Sequence, residues 1–202
     1  MNHKVQNVQQ LYDDAKQLYE NVVCGKADDI INKLNEAINI LKNSWEGKDA
    51  GVQINNVVDV YNGMTKVRNA LAVLSRDSST IASKYREIQN ANRANLGNLQ
   101  VITIEGEKNP IEPYSDERDT INITPEAMNG KVALDNVNDR YEEFKSEVNR
   151  YYDAIMGNWQ VGAGRENAEN AFAEFMTNSN KYKEILEAVS NSITDALKNY
   201  QI

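Results

Sequence analysis

The stretch KNSWEGKDAG, residues 42–51, decides how the chain is read. It sets Trp45, one of only two tryptophans, two places before Gly47, with apolar residues at helical spacing on both sides. Upstream, Val8, Leu11, Ala15, Leu18 and Val22, then Ile31, Leu34, Ile38, Leu41 and Trp45, alternate in steps of three and four, the spacing of a buried helical seam. The two runs are out of phase. The slip falls at VCGKADD, residues 23–29, where Gly25 also weakens the helix, and predicts a kink or local irregularity at residues 24–28. Downstream, Ile54, Val57, Tyr61, Met64, Val67, Leu71, Leu74, Ile81, Tyr85 and Ile88 mark a second long helix. A tryptophan that closes the first helix can lay its ring across the apolar mouth between the two, and the glycine permits a reversal that a β-carbon would oppose. The expected unit is a helical hairpin.

The pattern recurs farther along. At MGNWQVGAGR, residues 156–165, Trp159 stands three places before Gly162. Before it, Leu134, Val137, Tyr141, Phe144, Val148, Tyr151, Ile155 and Trp159 form one seam; after it, Ala168, Phe172, Phe175, Ser179, Tyr182, Leu186, Val189, Ile193, Ala196 and Tyr200 hold heptad spacing. The entry to this pair is specified by TPEAM, residues 124–128: Thr124 can accept from the free amides of the first turn, Pro125 has no amide to leave unsatisfied, and Glu126 suits the positive helix start. The expected fold is all-α, a four-helix bundle made of two long helical hairpins, at 1–96 and 124–202.

Residues 97–123 form a partly extended linker. It holds two of the three prolines and two short alternating runs, at 101–104 and 120–123, that favour extended structure. The acidic stretch between them reads as a solvated loop, and a small β-hairpin between the two runs is left open. Such a hairpin would bring both tryptophans to one end of the bundle. Without it, the linker's 27 residues reach about 90 Å when extended, enough to cross the roughly 60 Å of a 40-residue helix.

Composition excludes more than it assigns. A net charge of -8 in 202 residues, with both signs scattered, argues against a phosphate-binding surface, so nucleic acid is not an expected partner. The single cysteine, Cys24, cannot close an intrachain disulfide. No window approaches the length of a membrane span and the start has no apolar core of signal-peptide length, so stable membrane insertion and a cleaved leader are not expected. One histidine, His3, and one cysteine give no metal-ligand spacing. The acidic pairs at 13–14, 28–29 and 142–143 point in different directions on a helix and read as solvated faces. GAGREN, residues 162–167, lacks the Lys-Ser/Thr of a phosphate loop and reads as a turn. No catalytic, cofactor-binding or metal-binding residues are expected, and no enzyme activity.

A bulky plug at a helix–helix turn would account for each tryptophan without reference to any family. The arrangement nevertheless resembles the WXG100 (ESAT-6-like) family of small helical hairpins. Trp45-Glu46-Gly47 is the family tripeptide, near the family's distance from the N-terminus, and INITPEAM, residues 121–128, looks like the family's opening of a short extended run and a Pro-Glu helix start. Trp159-Gln160-Val161-Gly162 departs by one extra residue. The resemblance implies a non-enzymatic, virulence-associated protein of type VII secretion, either an exported substrate or a targeting partner for a larger effector. It would be secreted without a cleaved signal peptide, or cytoplasmic before export. The implied partner is a protein of the secretion machinery or an effector, the implied turn residues are Trp45, Gly47, Trp159 and Gly162, and two hairpins on one chain resemble a fused dimer, itself monomeric or homodimeric. The family's Tyr-x-x-x-Asp/Glu export signal is not met: the residues four places after the tyrosines from Tyr12 to Tyr182 include no carboxylate. The alternative is a structural coiled-coil spacer or self-associating scaffold, which an oligomeric mass in solution would favour.

Overall fold

The computed structural model describes residues 4–92, 94–161 and 165–200. The helices are α1 (Val8–Gln17), a π-helical stretch (Leu18–Ala27), α2 (Asp28–Ser44), α3 (Lys48–Ala91), α4 (Ala127–Asn158) and α5 (Arg165–Tyr200). Four two- or three-residue strands accompany them: β1 (Lys4–Val5), β2 (Trp45–Glu46), β3 (Asn122–Ile123) and β4 (Trp159–Val161). The class is all-α, with α1 to α2 and α3 forming one long hairpin and α4 and α5 the other.

The phase slip has a structural form. Asn7 opens α1, its side chain accepting from Gln10 N at 3.0 Å. From Leu18 the helix widens to i→i+5 bonding, which inserts the extra residue that two out-of-phase seams require. Leu18, Val22, Val23 and Ala27 are all buried in consequence, and the seam resumes in phase at Ile31, Leu34, Ile38 and Leu41.

The chain divides into two compact units, each assembled from pieces of all four long helices. The first comprises Met1–Ala27, Val67–Lys108 and Phe144–Phe175. Its core holds Leu11, Leu18, Leu71, Val148 and Trp159. Phe144 and Phe175 meet edge to face with ring centroids 5.7 Å apart, and Tyr152 stacks on Phe172. The second unit comprises Asp28–Lys66, Asn109–Glu143 and Met176–Ile202. Ile38, Leu41, Ile54, Leu134, Tyr141, Leu186 and Ile193 are buried there. Gly130 brings α4 onto Leu41, where a β-carbon would lie 2.8 Å from a Leu41 methyl. Asp135 accepts from Ser190 Oγ at 2.9 Å, which fixes α5 on α4.

The expected seams hold along α4 and through most of α5; in the second half of α3 Leu71, Leu74 and Ile81 are buried as read, but the seam is interrupted between them and lost at its end. Val67 and Tyr85 are half-buried and Ile88 is 58% exposed, while Arg68, Ser75, Ser78, Ser79, Ser83 and Arg86 are buried. Arg68, Ser79, Ser83 and Arg86 bond the linker backbone. In the first unit Ser83 Oγ donates to Leu99 O at 2.8 Å, Ser79 Oγ accepts from Ile102 N at 2.9 Å, and Arg86 donates to Gly97 O at 2.7 Å. Arg68 donates to Glu105 O at 3.1 Å. A face covered by bare backbone needs donors and acceptors rather than methyl groups, because a buried peptide group without a partner is costly.

The stretch between the two alternating runs is mostly exposed and without regular structure, as read, but its backbone is tied to α3, and the β-hairpin left open between the runs does not form. Residues 101–104 form no strand. Asn122–Ile123 instead pairs antiparallel with Trp45–Glu46, in the register Trp45↔Ile123 and Glu46↔Asn122. The alternating pattern was read correctly as extended, but its partner is the tryptophan turn.

Candidate functional site

Both tryptophan turns are built from a strand bridge, a buried indole and a side chain that ties the turn down. At the first, α2 ends at Ser44, whose hydroxyl donates back to Ile40 O at 2.7 Å while its carbonyl accepts from Thr124 N at 2.8 Å. Trp45 is 3% exposed. Gly47 reverses the chain at φ +111°, a conformation that costs an L side chain strain. A β-carbon there would also stand 2.4 Å from Thr120 O.

The free amides at the start of α3 are met by the linker. Gly47 N donates to Asp116 Oδ2 at 2.9 Å, and Lys48 N donates to Arg118 O at 3.2 Å. Arg118 forks onto Asp116, with contacts of 2.8 and 2.7 Å, and reaches Glu46 at 2.8 Å. The Arg118 guanidinium, and after it the Gly47 amide, hold the Asp116 carboxyl well below the usual carboxylate range. Arg118 is correspondingly raised by Asp116 and then Glu46. Glu126, just ahead of α4, is lowered by a hydrogen bond from Thr124, while the amides of Ala127, Met128 and Asn129 are met by the carbonyls of Thr124, Pro125 and Glu126 rather than by the Thr124 side chain the sequence reading assigned to them.

A sign follows for Asp116. Its folded pKa lies below its unfolded one, so its contribution to stability is complete above the ordinary carboxylate range and is lost as pH falls through the depressed value. The Gly47 amide is therefore expected to keep its slow hydrogen exchange, corrected for intrinsic rate, from pH 7 down to pH 4.5. Fast exchange at pH 4.5 with the helices intact would show that the carboxylate does not hold it.

Beside Trp45 lies a groove of about 330 Å³, lined by Asp49, Val52, Gln53, Ile121 and Asp195 among others. One wall comes from the linker end, another from the last turns of α5.

At the second turn Trp159 is fully buried, and β4 pairs antiparallel with β1 in the register Lys4↔Val161 and Val5↔Trp159. Gln6 N donates to Asn158 O at 3.1 Å. Arg165 closes the turn, donating to Met156 O at 2.9 Å and to Trp159 O, with its Nε on Glu169 at 2.8 Å. Gly162, expected to share this turn, lies outside the described residues, as does His3. A groove of about 270 Å³ opens beside Trp159, lined by Ala70, Val73, Leu74, Ala168 and Ala171.

The two bridges are reciprocal. The strand that precedes the first hairpin, β1, pairs with the tryptophan turn of the second, and the strand that precedes the second hairpin, β3, pairs with the turn of the first. Reciprocity of this kind is the mark of an isologous pairing, in which each partner offers the same surface to the other. Sequence reasoning missed the roles of Asp116, Arg118 and Arg165. Each is a charged residue whose partner is backbone or a distant turn, and spacing along the chain does not carry that information.

Among the described residues no group of three or more His, Cys, Asp or Glu could hold a metal ion, and no helix is long and apolar enough to cross a membrane. What the fold and turns define is an all-α protein of two helical hairpins with a buried tryptophan at each turn. Residues 120–201 match the model of the WXG100 family, described as proteins of 100 residues with WXG. The match falls on the hairpin whose turn departs from the tripeptide. No curated protein and no solved structure matches the chain. WXG100 proteins are non-enzymatic helical proteins that pair with partners and are exported by type VII secretion without a signal peptide.

Proposed function

We propose that the chain is a fused WXG100-type dimer that serves type VII secretion as an exported substrate or as the targeting partner of a larger effector. Its parts are the hairpins 1–96 and 124–202, joined by the linker 97–123. The observation that carries this reading is the reciprocal exchange of β1 and β3 between the two tryptophan turns. Two identical hairpins docked about a twofold axis would produce such an exchange, and joining them replaces bimolecular association with a high effective concentration. Trp45, Gly47, Trp159 and Gly162 shape the two turns, and the flanking grooves are the surfaces offered to a protein partner. On this reading the chain acts by binding rather than catalysis and is cytoplasmic before export.

Export is the test. In its own organism the protein is expected in the culture supernatant of the wild-type strain and only in the cytosol when the type VII membrane ATPase is deleted. Retention in both strains, with a lysis control, would overturn the secretion reading while leaving the fold untouched.

A further inference from the structure

Three asparagines of α3 stand seven residues apart, and each grips one linker residue by both of its peptide groups. In the second unit Asn55 Oδ1 accepts from Tyr114 N at 2.7 Å and its Nδ2 donates to Tyr114 O at 2.8 Å. Asn62 treats Ile111 in the same way, at 2.9 and 3.0 Å. In the first unit Asn69 accepts from Lys108 N at 3.3 Å and donates to Lys108 O at 2.7 Å. The rungs are spaced by seven residues on the helix and by three on the linker.

These periods match. Seven helical residues rise about 10.5 Å, and three residues of a polyproline II helix advance about 9.3 Å. One turn of polyproline II is three residues, so successive rung residues present their peptide groups on the same side. Pro110 and Pro113, also three apart, occupy places between rungs where no amide is required. Proline there pre-sets the extended backbone and lowers the entropy lost on docking.

We propose that the asparagine face of α3 is a binding site for a chain in polyproline II conformation, read through its backbone, and that the linker is its resident ligand. An amide that both donates and accepts recognises a peptide group irrespective of the side chain attached to it. The site therefore selects period and backbone rather than sequence. Within the second unit, docking on Asn55 and Asn62 delivers Asp116 to the Gly47 amide, Arg118 to Lys48 and Glu46, and β3 to β2. The linker segment and the Trp45 turn accordingly open and close together. That this opening controls partner access rests on the reading of the Trp45 turn as a contact surface; the docking itself does not.

Hydrogen exchange on the full chain tests it, read at Gly47 and Lys48, whose amides bind Asp116 and Arg118 rather than any asparagine. In the double variant N55A/N62A these two amides are expected to exchange at least tenfold faster, while Trp159 and the amides of β1 keep their rates. N56A, the same change at the adjoining position of α3, is expected to leave Gly47 and Lys48 unchanged. A second pair of variants probes the ligand side: replacing Glu112 by Gln retains protection, whereas P110G/P113G, which frees the backbone, speeds Gly47 and Lys48 exchange several-fold. Unchanged rates at Gly47 and Lys48 in N55A/N62A would overturn the proposal, as would equal acceleration by N56A. Because the readout is exchange and not export, a chain that fails the secretion test can still pass this one.

Discussion

Replacing Trp159 by alanine is expected to lower the unfolding free energy by about 3–5 kcal/mol, the range for truncating a buried aromatic. The indole is fully buried and is the largest such side chain in the chain. The loss belongs at the upper part of that range because the site cannot collapse. Ala70, Ala168 and Ala171 already bound a cavity of about 270 Å³ on one side of the ring, and alanines have no rotamer to swing into the extra space. The neighbouring bridge compounds the effect, since Val5 pairs with Trp159 itself. Urea unfolding followed by circular dichroism measures it, with an unchanged m-value securing the comparison. Trp159→Phe retains most of the apolar area and is expected to cost less than half as much. A loss under about 1 kcal/mol for the alanine variant would mean that the ring is not the keystone of its turn.

Gly47→Ala is expected to be nearly as disruptive, for a different reason. A non-glycine residue in a strained backbone region costs about 1–3 kcal/mol, and here the added β-carbon would also stand 2.4 Å from the Thr120 carbonyl. That oxygen belongs to backbone one residue before Ile121, which lines the Trp45 groove, so relief requires the linker end to move away. The expected signature is local. Amides at Lys48 and Thr124, which bond Arg118 and Ser44 across the same junction, lose protection, and the melting temperature falls by several degrees. Gly97→Ala is the control: a β-carbon there meets nothing within 4 Å, and the substitution is expected to be neutral or slightly stabilising. Equal effects from the two glycines would remove the argument from Gly47's geometry.

The departure at the second turn has a comparable explanation. Where the first turn uses a glycine and a carboxylate from the linker, the second spans three strand residues and is tied by the Arg165 guanidinium to Met156 and Trp159 carbonyls. A cation that satisfies the last carbonyls of a helix also suits its negative end. The extra residue, Val161, is part of this three-residue strand, and α4 and α5 still form a hairpin.

Much of the fold was legible in the sequence because helices announce themselves locally. Seams such as Leu134, Val137, Tyr141 and Phe144 bury one side of a helix whatever it packs against, and the slip at Gly25 had to be absorbed by some irregularity, which the π-helical stretch supplies. The tryptophans and the hairpin reversals were likewise written in residue type and spacing. What tertiary structure alone decided is where the linker lies and which strand meets which turn. Backbone carries the same donor and acceptor at every residue, so an extended segment has no signature that names its partner. Asn55, Asn62 and Asn69 read as ordinary polar positions until the linker is seen on them, and the buried Arg68 and Arg86 contradict a seam drawn from hydrophobicity alone. Apolar periodicity specifies how a helix is buried; the choice of what covers its polar stripe is made by hydrogen bonds between residues distant in sequence, and only the folded chain brings them together.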